Sequence, residues 1–305
     1  MVVYIILLTL VTTHHCVAAT DKLNHPSPDK ATTLTYPHMQ KKNDFTRVEP
    51  TATCGMRENG KTPWLVIIKD LSKSQNTSTA ILQGSIGGGT LIHPSVVLCA
   101  AHSAQSPAPQ LQVLTGLAGG AGDNVQTWGV IETVLHENFN PMNAHNDIAL
   151  LFLSEPMKLS RSLGVACLPP ADAAPPARCE AYEWSQTGTG GHRGVKTVDV
   201  PVLDHQECQE KYRNTRLGRY FILDQSFMCA GGERGRDVCA GDGGFPLVCP
   251  AQNGRVAQFG IVVWDIECGN HGNPSVYVNV TRFRGWIDRQ IGSRGLDTTI
   301  YALEQ

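Results

Sequence analysis

Charge is scarce and nearly balanced in this 305-residue chain: Asp, Glu, Lys and Arg make up 17% of it, and the formal net charge is −2. A general nucleic-acid binder needs a basic face to displace counterions from phosphates, so that class is excluded. CxxC pairs and clustered His/Cys spacings are missing, so no zinc site is expected, nor any other metal or cofactor. Nothing recurs at a fixed solenoid period, which excludes a repeat protein. What is present is 41% hydrophobic content, enough for a folded globular protein.

The first residues, MVVYIILLTLVTTHHCVAA, form an apolar run with small residues at Val17 and Ala19. They read as a signal peptide over residues 1–19, although the usual positive start is missing. A membrane anchor fits less well, because the run is short, interrupted by His14 and His15, and has no basic stop sequence. The expected location is therefore extracellular, and secretion turns thiols into crosslinks. If Cys16 leaves with the signal, nine of the ten cysteines remain, an odd number, and one thiol is left over.

Residues 20–53 are polar, with prolines at 26, 28, 37 and 50, and read as a flexible arm. Beyond them come short β-branched segments broken by Gly, Pro and Asn: WLVII, TLIHPSVVLCAA, LQVLTG, WGVIETVLH, DIALLFL, VKTVDVPVL, QFGIVVW and SVYVNV. Many short strands with turn signals predict an all-β sandwich or pair of barrels. One helix is expected near the end, in TRFRGWIDRQI, where Phe283, Trp286, Ile287 and Ile291 share a face. The tail over 292–305 is expected to be loose.

Three separated segments carry candidate chemistry: CAAHS around His102, NDIALL around Asp147 and GDGGFPLV around Gly243. Singly each is weak, since a lone His is usually structural and an Asp before an apolar run is often a cap. Together with GGTLIHPSVVLCAAH, MCAGG, GIVVW and PSVYVNV, in that chain order, they make the region from about Pro63 to Ile291 resemble a chymotrypsin-like serine protease domain. The resemblance implies two antiparallel six-stranded β-barrels with a C-terminal helix, over a domain taken as 54–291.

In that family a serine attacks the scissile carbonyl, a histidine takes its proton and an aspartate orients the ring. The resemblance gives His102 and Asp147 the last two roles, while Gly243 stands where the family has serine and Phe245 replaces a later glycine. An alternative alignment deletes the serine and inserts Phe245. Both leave the loop without a hydroxyl, so no functional catalytic residue is expected, and the oxyanion-hole amides of Gly241 and Gly243 would be remnants. Ser103 is not expected to deputise, because neighbours on an extended strand point to opposite faces. Activation in the family frees an amine that pairs with the residue matched here by Asp242, yet the chain runs from Arg57 to TPW with no IVGG-like start. Asp242 is therefore expected in a zymogen-like loop, hydrogen-bonded to amides or partly solvated.

The resemblance also implies a substrate-pocket remnant. Asp237 matches the position that selects Lys or Arg, Asp265 follows Trp264 where glycine is usual, and Ser275 replaces another small wall residue. Val263 replaces the serine that usually supports the aspartate. Asp237 and Asp265 read equally as solvated loop carboxylates or as a residual cation pocket. Implied disulfides are Cys54–Cys167, Cys179–Cys249, Cys208–Cys229 and Cys239–Cys268. The family bridge beside the histidine is missing at both ends, at Gly87 and Ser103, which leaves Cys99 as a buried free thiol. Sequons lie at Asn76 and Asn279.

Within the family the run ECQEKYRNTRLGRYFILDQSFMCAGG resembles the arthropod serine protease homologues, inactive relatives of clip-domain proteases that serve prophenoloxidase activation and melanisation. Their clip domain needs six cysteines upstream, and residues 20–53 contain none. The expectation is a non-catalytic binding cofactor of an extracellular protease cascade. Expected partners are secreted proteases, prophenoloxidase or related homologues, with no membrane. Alternatives are residual hydrolysis with Lys/Arg preference and a passive decoy. Lys211, Arg213, Arg216 and Arg219 form either a contact surface or a merely solvated loop.

Overall fold

Short β-branched strands separated by turns can bury one face and still leave no raw edge only if the sheet closes on itself. The computed structural model describes residues 53–57, 62–73, 83–116, 125–185, 194–233, 243–266 and 272–303, and it shows two such closures. The first barrel is built from β1 (Leu65–Asp70), β2 (Ser85–His93), β3 (Val96–Cys99), β4 (Leu111–Thr115), β5 (Gln126–Leu135) and β6 (Ala149–Leu153). The second uses β7 (Arg178–Ser185), β8 (Gly194–Leu203), β9 (Phe227–Gly231), β10 (Pro246–Pro250), β11 (Val256–Trp264) and β12 (Pro274–Asn279). Around the first barrel the order is β1-β2-β3-β6-β5-β4; read from β7, the second repeats it as β7-β8-β9-β12-β11-β10. All strand pairs are antiparallel.

The expected C-terminal helix is α2, Val280–Gly292, with Phe283, Trp286, Ile287 and Ile291 buried. It packs on the outside of the first barrel, against Ile92, Leu98 and Leu150. Trp286 Nε1 donates to Glu137 Oε2 at 2.9 Å. A second helix, α1 (His205–Arg213), was not expected from the apolar pattern, because it buries only Cys208 and Tyr212. Its start is nonetheless written in the chain: the Asp204 side chain accepts from the amides of Gln206 and Glu207.

The loose tail is a correction. Residues 296–302 pack back on the body: Tyr301 is fully buried, its hydroxyl donates to Asp288 Oδ1 at 2.8 Å, and Leu168 N–H donates to Tyr301 O at 2.8 Å. Arg284 holds the same region, donating to Asp288 and to the carbonyls of Leu168 and Pro169. A buried aromatic ring with a satisfied hydroxyl thus helps anchor a segment that has no period of its own. At the other end, Cys54 bonds Cys167, Gly55 N–H donates to Val165 O at 2.8 Å, and Val256 N–H donates to Gly55 O at 3.0 Å. Both ends of the described chain are thus fastened to the stretch Val165–Leu168.

His93, at the end of β2, is buried with Nδ1 accepting from Ser95 N–H at 3.0 Å. Burial pushes its pKa down to about 4, with Asp297 opposing the shift. The folded protein therefore holds the ring neutral where the unfolded chain already takes a proton. Stability from this site is full above pH ~6.5 and is lost as pH falls toward ~4, by at most about 3 kcal/mol. His136 is shifted the same way by its own burial. Urea unfolding at pH 7 and pH 4.5 checks this: His93→Asn, which keeps an acceptor for Ser95, should lose about 2 kcal/mol less over that interval than the parent protein. Equal losses would contradict the assignment.

Candidate functional site

β3 leads directly into a 3-10 turn, Ala101–Ala104, which carries His102; β6 begins just after Asp147. Because β3 and β6 are hydrogen-bonded neighbours, with Cys99 opposite Ala149, the two side chains meet. Asp147 is fully buried. Its Oδ1 accepts His102 N–H at 2.7 Å and its Oδ2 lies 2.5 Å from His102 Nδ1. Asn146, in left-handed conformation (φ 55°), sets up this turn, and its N–H donates to Ser226 Oγ at 3.2 Å. A buried carboxylate with both oxygens on one residue fixes that ring's orientation. The arrangement can hold and accept a proton at Nε2, the nitrogen facing away from Asp147.

What Nε2 faces is Gly243. A Cβ added there would sit 2.7 Å from Nε2 and 3.2 Å from Cε1, inside van der Waals contact, so the imidazole stands where a side chain would begin. Gly243 O accepts from Gly88 N–H at 2.9 Å, Gly244 N–H donates to Val262 O at 2.9 Å and Val262 N–H donates to Phe245 O at 2.8 Å. The turn is thus laced to both β2 and β11. Gly244 has φ +85°, and a Cβ on it would come within 2.4 Å of Gly88 O. Glycine is required there by conformation and by crowding together.

Phe245 is buried, and its ring covers Gly88 so closely that a Cβ on Gly88 would lie 2.6 Å from two ring carbons. The pattern of motifs treats Phe245 only as a departure or an insertion; in the folded chain it is core. The signal that could have found it is the glycine run Gly87–Gly88–Gly89 beside a missing disulfide. Gly87 and Ser103 do face each other: a Cβ on Gly87 would be 3.2 Å from Ser103 Cβ and 2.6 Å from its Oγ. Bridged cysteines keep Cβ atoms roughly 3.5–4.5 Å apart, so β2 and the His102 turn lie closer than a bridge would hold them.

The reason given for setting Ser103 aside needs correction, since it lies in the 3-10 turn and not on an extended strand. Its buried hydroxyl donates to Ile86 O at 3.2 Å. Trp264 is half-buried and meets the rings of Tyr212, Phe221 and Phe227 edge-on. Asp265 next to it is partly exposed, and Ser275 is buried in β12 opposite Ala230. Val263 brings no hydroxyl to Asp147 and packs with apolar neighbours. Arg57 is engaged, donating to Glu180 Oε2 at 2.6 Å and to the Tyr182 hydroxyl at 3.3 Å.

Disulfides join Cys54 to Cys167, Cys179 to Cys249 and Cys208 to Cys229. Cys99 is a free, fully buried thiol whose pKa burial pushes up, reinforced by Asp147. Asn279 ends β12, its Oδ1 accepting from the hydroxyl of the buried Thr281, the third residue of its sequon. Asp237, Cys239, Gly241, Asp242, Cys268, Asn76, residues 1–19 and nearly all of 20–53 lie outside the described residues. Among the described residues no cluster of His, Cys, Asp and Glu could hold a metal, and no helix is long and apolar enough to cross a membrane.

The trypsin family model matches residues 56–287. The chain is 44% identical over 261 residues to phenoloxidase-activating factor 2 of Galleria mellonella, covering 81% of this chain and 86% of that protein. It is 35% identical to inactive CLIP domain-containing serine protease A8 of Anopheles gambiae, over 76% of this chain and 65% of that protein. To protein masquerade of Drosophila melanogaster it is 36% identical, over 68% of this chain but 21% of that protein. The chain thus spans most of the first of these and a smaller part of the other two.

The packing of Phe245 on Gly88 makes its own prediction. Phe245→Ala should destabilise the protein by about 3–5 kcal/mol, and Gly88→Ala should also destabilise it, because the added methyl meets the ring. Denaturant unfolding reads both, and losses under about 1 kcal/mol would contradict this packing.

Proposed function

The chain belongs to the trypsin family, and on that premise we propose that it is a secreted, non-catalytic member that works by binding. Its role is that of a cofactor in an extracellular protease cascade, with phenoloxidase activation and melanisation as the setting. Its partners are then other secreted proteins: proteases, prophenoloxidase or related homologues. The single observation that carries this reading is Gly243 lying directly against Nε2 of His102, with no hydroxyl between. In this reading Gly243 occupies the nucleophile's position, His102 and Asp147 are vestigial, and the Gly243 amide is half of an unused oxyanion hole. Removing the nucleophile from a serine protease of unrelated fold costs about 2 × 10⁶ in turnover, roughly 8–9 kcal/mol of barrier stabilisation. A loss of that size separates a non-enzyme from a slow enzyme.

The names of the relatives support the setting: one is a phenoloxidase-activating factor and another an inactive CLIP domain-containing serine protease. Disulfides and the apolar start at residues 1–19 support secretion. A second reading, weak hydrolysis by water at Lys or Arg bonds, is favoured by the intact His102–Asp147 pair. The two readings diverge on His102: hydrolysis requires the ring, whereas a binding cofactor does not.

The test reconstitutes a cascade step from an activating protease and prophenoloxidase, with and without this protein, alongside an arginyl anilide. The parent protein, Gly243→Ser and His102→Ala should all raise the cascade rate, and none should hydrolyse the anilide. Gly243→Ser stays inactive because its Cβ must displace a ring tied to Asp147, and a displacement of ~1 Å costs on the order of 10²-fold. Anilide turnover that disappears in His102→Ala would establish the hydrolase, an unchanged cascade rate would leave only a decoy, and robust cleavage by Gly243→Ser would refute the displaced-ring account.

A further inference from the structure

Large apolar side chains rarely stand fully in water, and among the described residues the few that do so lie on two neighbouring loops. Among the described residues the three most exposed are Met142 at 92%, Tyr220 at 79% and Ile222 at 74%; the next reaches only 49%. Leu217, at 37%, lies in the same segment as the last two. Met142 belongs to the loop before Asp147, the others to the segment after α1, and the two loops are tied together. His145 Nδ1 lies 3.4 Å from Asp224 Oδ2, Asn146 N–H donates to Ser226 Oγ, and Ala144 packs on the cluster of Tyr212, Leu223 and Phe227, as Phe221 and Trp264 do.

The segment is held in shape, not draped. Cys208–Cys229 fixes α1 to β9, Arg213 Nε donates to Phe221 O at 2.9 Å, Leu223 N–H donates to Gln209 Oε1 at 3.0 Å, and the Tyr212 hydroxyl donates to Pro274 O. Its apolar residues are therefore presented on a preorganised surface, which lowers the entropy lost on binding. Its charge is of one sign: residues 211–222 carry four cations and no carboxylate. Lys211 and Arg213 are paired with Glu207 and Glu210, and Asp224 faces His145. Arg216 and Arg219 are exposed, and Arg219 lies over the Tyr220 ring at 4.6 Å.

We propose that Met142, Leu217, Tyr220 and Ile222, flanked by Arg216 and Arg219, form a docking surface for a segment of another protein in which carboxylates alternate with aromatic or aliphatic side chains. Charge complementarity selects that occupant. The chain's own arm over 20–53 lacks the complementary charge, with five Lys or Arg against four Asp or Glu. The surface uses neither His102 nor Gly243, so it stands or falls separately from the function proposed above.

The test uses the full chain and a fluorescent peptide of alternating Glu and Phe or Leu, read by anisotropy. Companion peptides carry Gln for Glu, or Ala for the apolar residues. The parent protein should bind the first peptide at least about tenfold more tightly than either companion, and more weakly as salt rises. Arg216→Glu with Arg219→Glu, and separately Tyr220→Ser with Ile222→Ser, should each weaken binding about tenfold or more, with Lys158→Glu, on another exposed segment, unchanged. Sedimentation of the same variants checks self-association. Equal binding of the uncharged peptide, binding unaffected by both pairs of substitutions, or a dimer of the parent protein that these substitutions dissolve would overturn the proposal, the last by giving the surface to a second copy of this chain.

Discussion

Everything around His102 depends on one buried carboxylate. Asp147 is out of water, and its two oxygens meet the backbone and the ring of the same residue, His102. A charge so placed tolerates no other arrangement cheaply, because turning the ring away would leave a buried acceptor unsatisfied. The ring is therefore held at a fixed angle whatever stands opposite it. Opposite it stands a glycine, whose lack of a side chain lets Nε2 come as close as it does. Among the described residues the group that faces this nitrogen is thus a glycine backbone and not a hydroxyl.

The neighbourhood of that glycine is closely packed. Phe245 fills the volume over Gly88, and the glycine and serine at 87 and 103 let the strand and the His102 turn close together without a bridge. Three backbone hydrogen bonds, Gly88 to Gly243, Gly244 to Val262 and Val262 to Phe245, hold the loop in register with both barrels. These features depend on one another. A bulky residue at 245 is compatible only with glycine at 88, and Gly244 is pressed against the carbonyl of that same residue. The wall beside His102 is thus built as part of the core.

How much was legible in the sequence follows from which forces act locally. The eight segments rich in Val, Ile and Leu announce nine of the twelve strands, because their branched side chains and bounding turns are properties of the chain itself. β7, β9 and β10 are harder to read, since RCEAYEWS, FMCAG and PLVCP mix cysteine, proline and small residues whose strand character comes from disulfides and barrel neighbours. α1 hides because it is polar and buries only two residues, and the ordered tail hides because Tyr301 acquires its partners Arg284, Asp288 and Leu168 only on folding. His102 and Asp147 were found by motif; that a 3-10 turn carries the histidine, and that Phe245 belongs to the core, are consequences of packing that no spacing encodes.

The central claim, a proton acceptor without a nucleophile, is tested most directly by covalent chemistry at the site. Purified protein exposed to excess fluorophosphonate and then weighed by intact-mass spectrometry should remain unmodified, with peptide mapping finding no phosphonylated residue facing His102. A stoichiometric adduct beside His102, formed by the parent protein and lost in His102→Ala, would contradict the account.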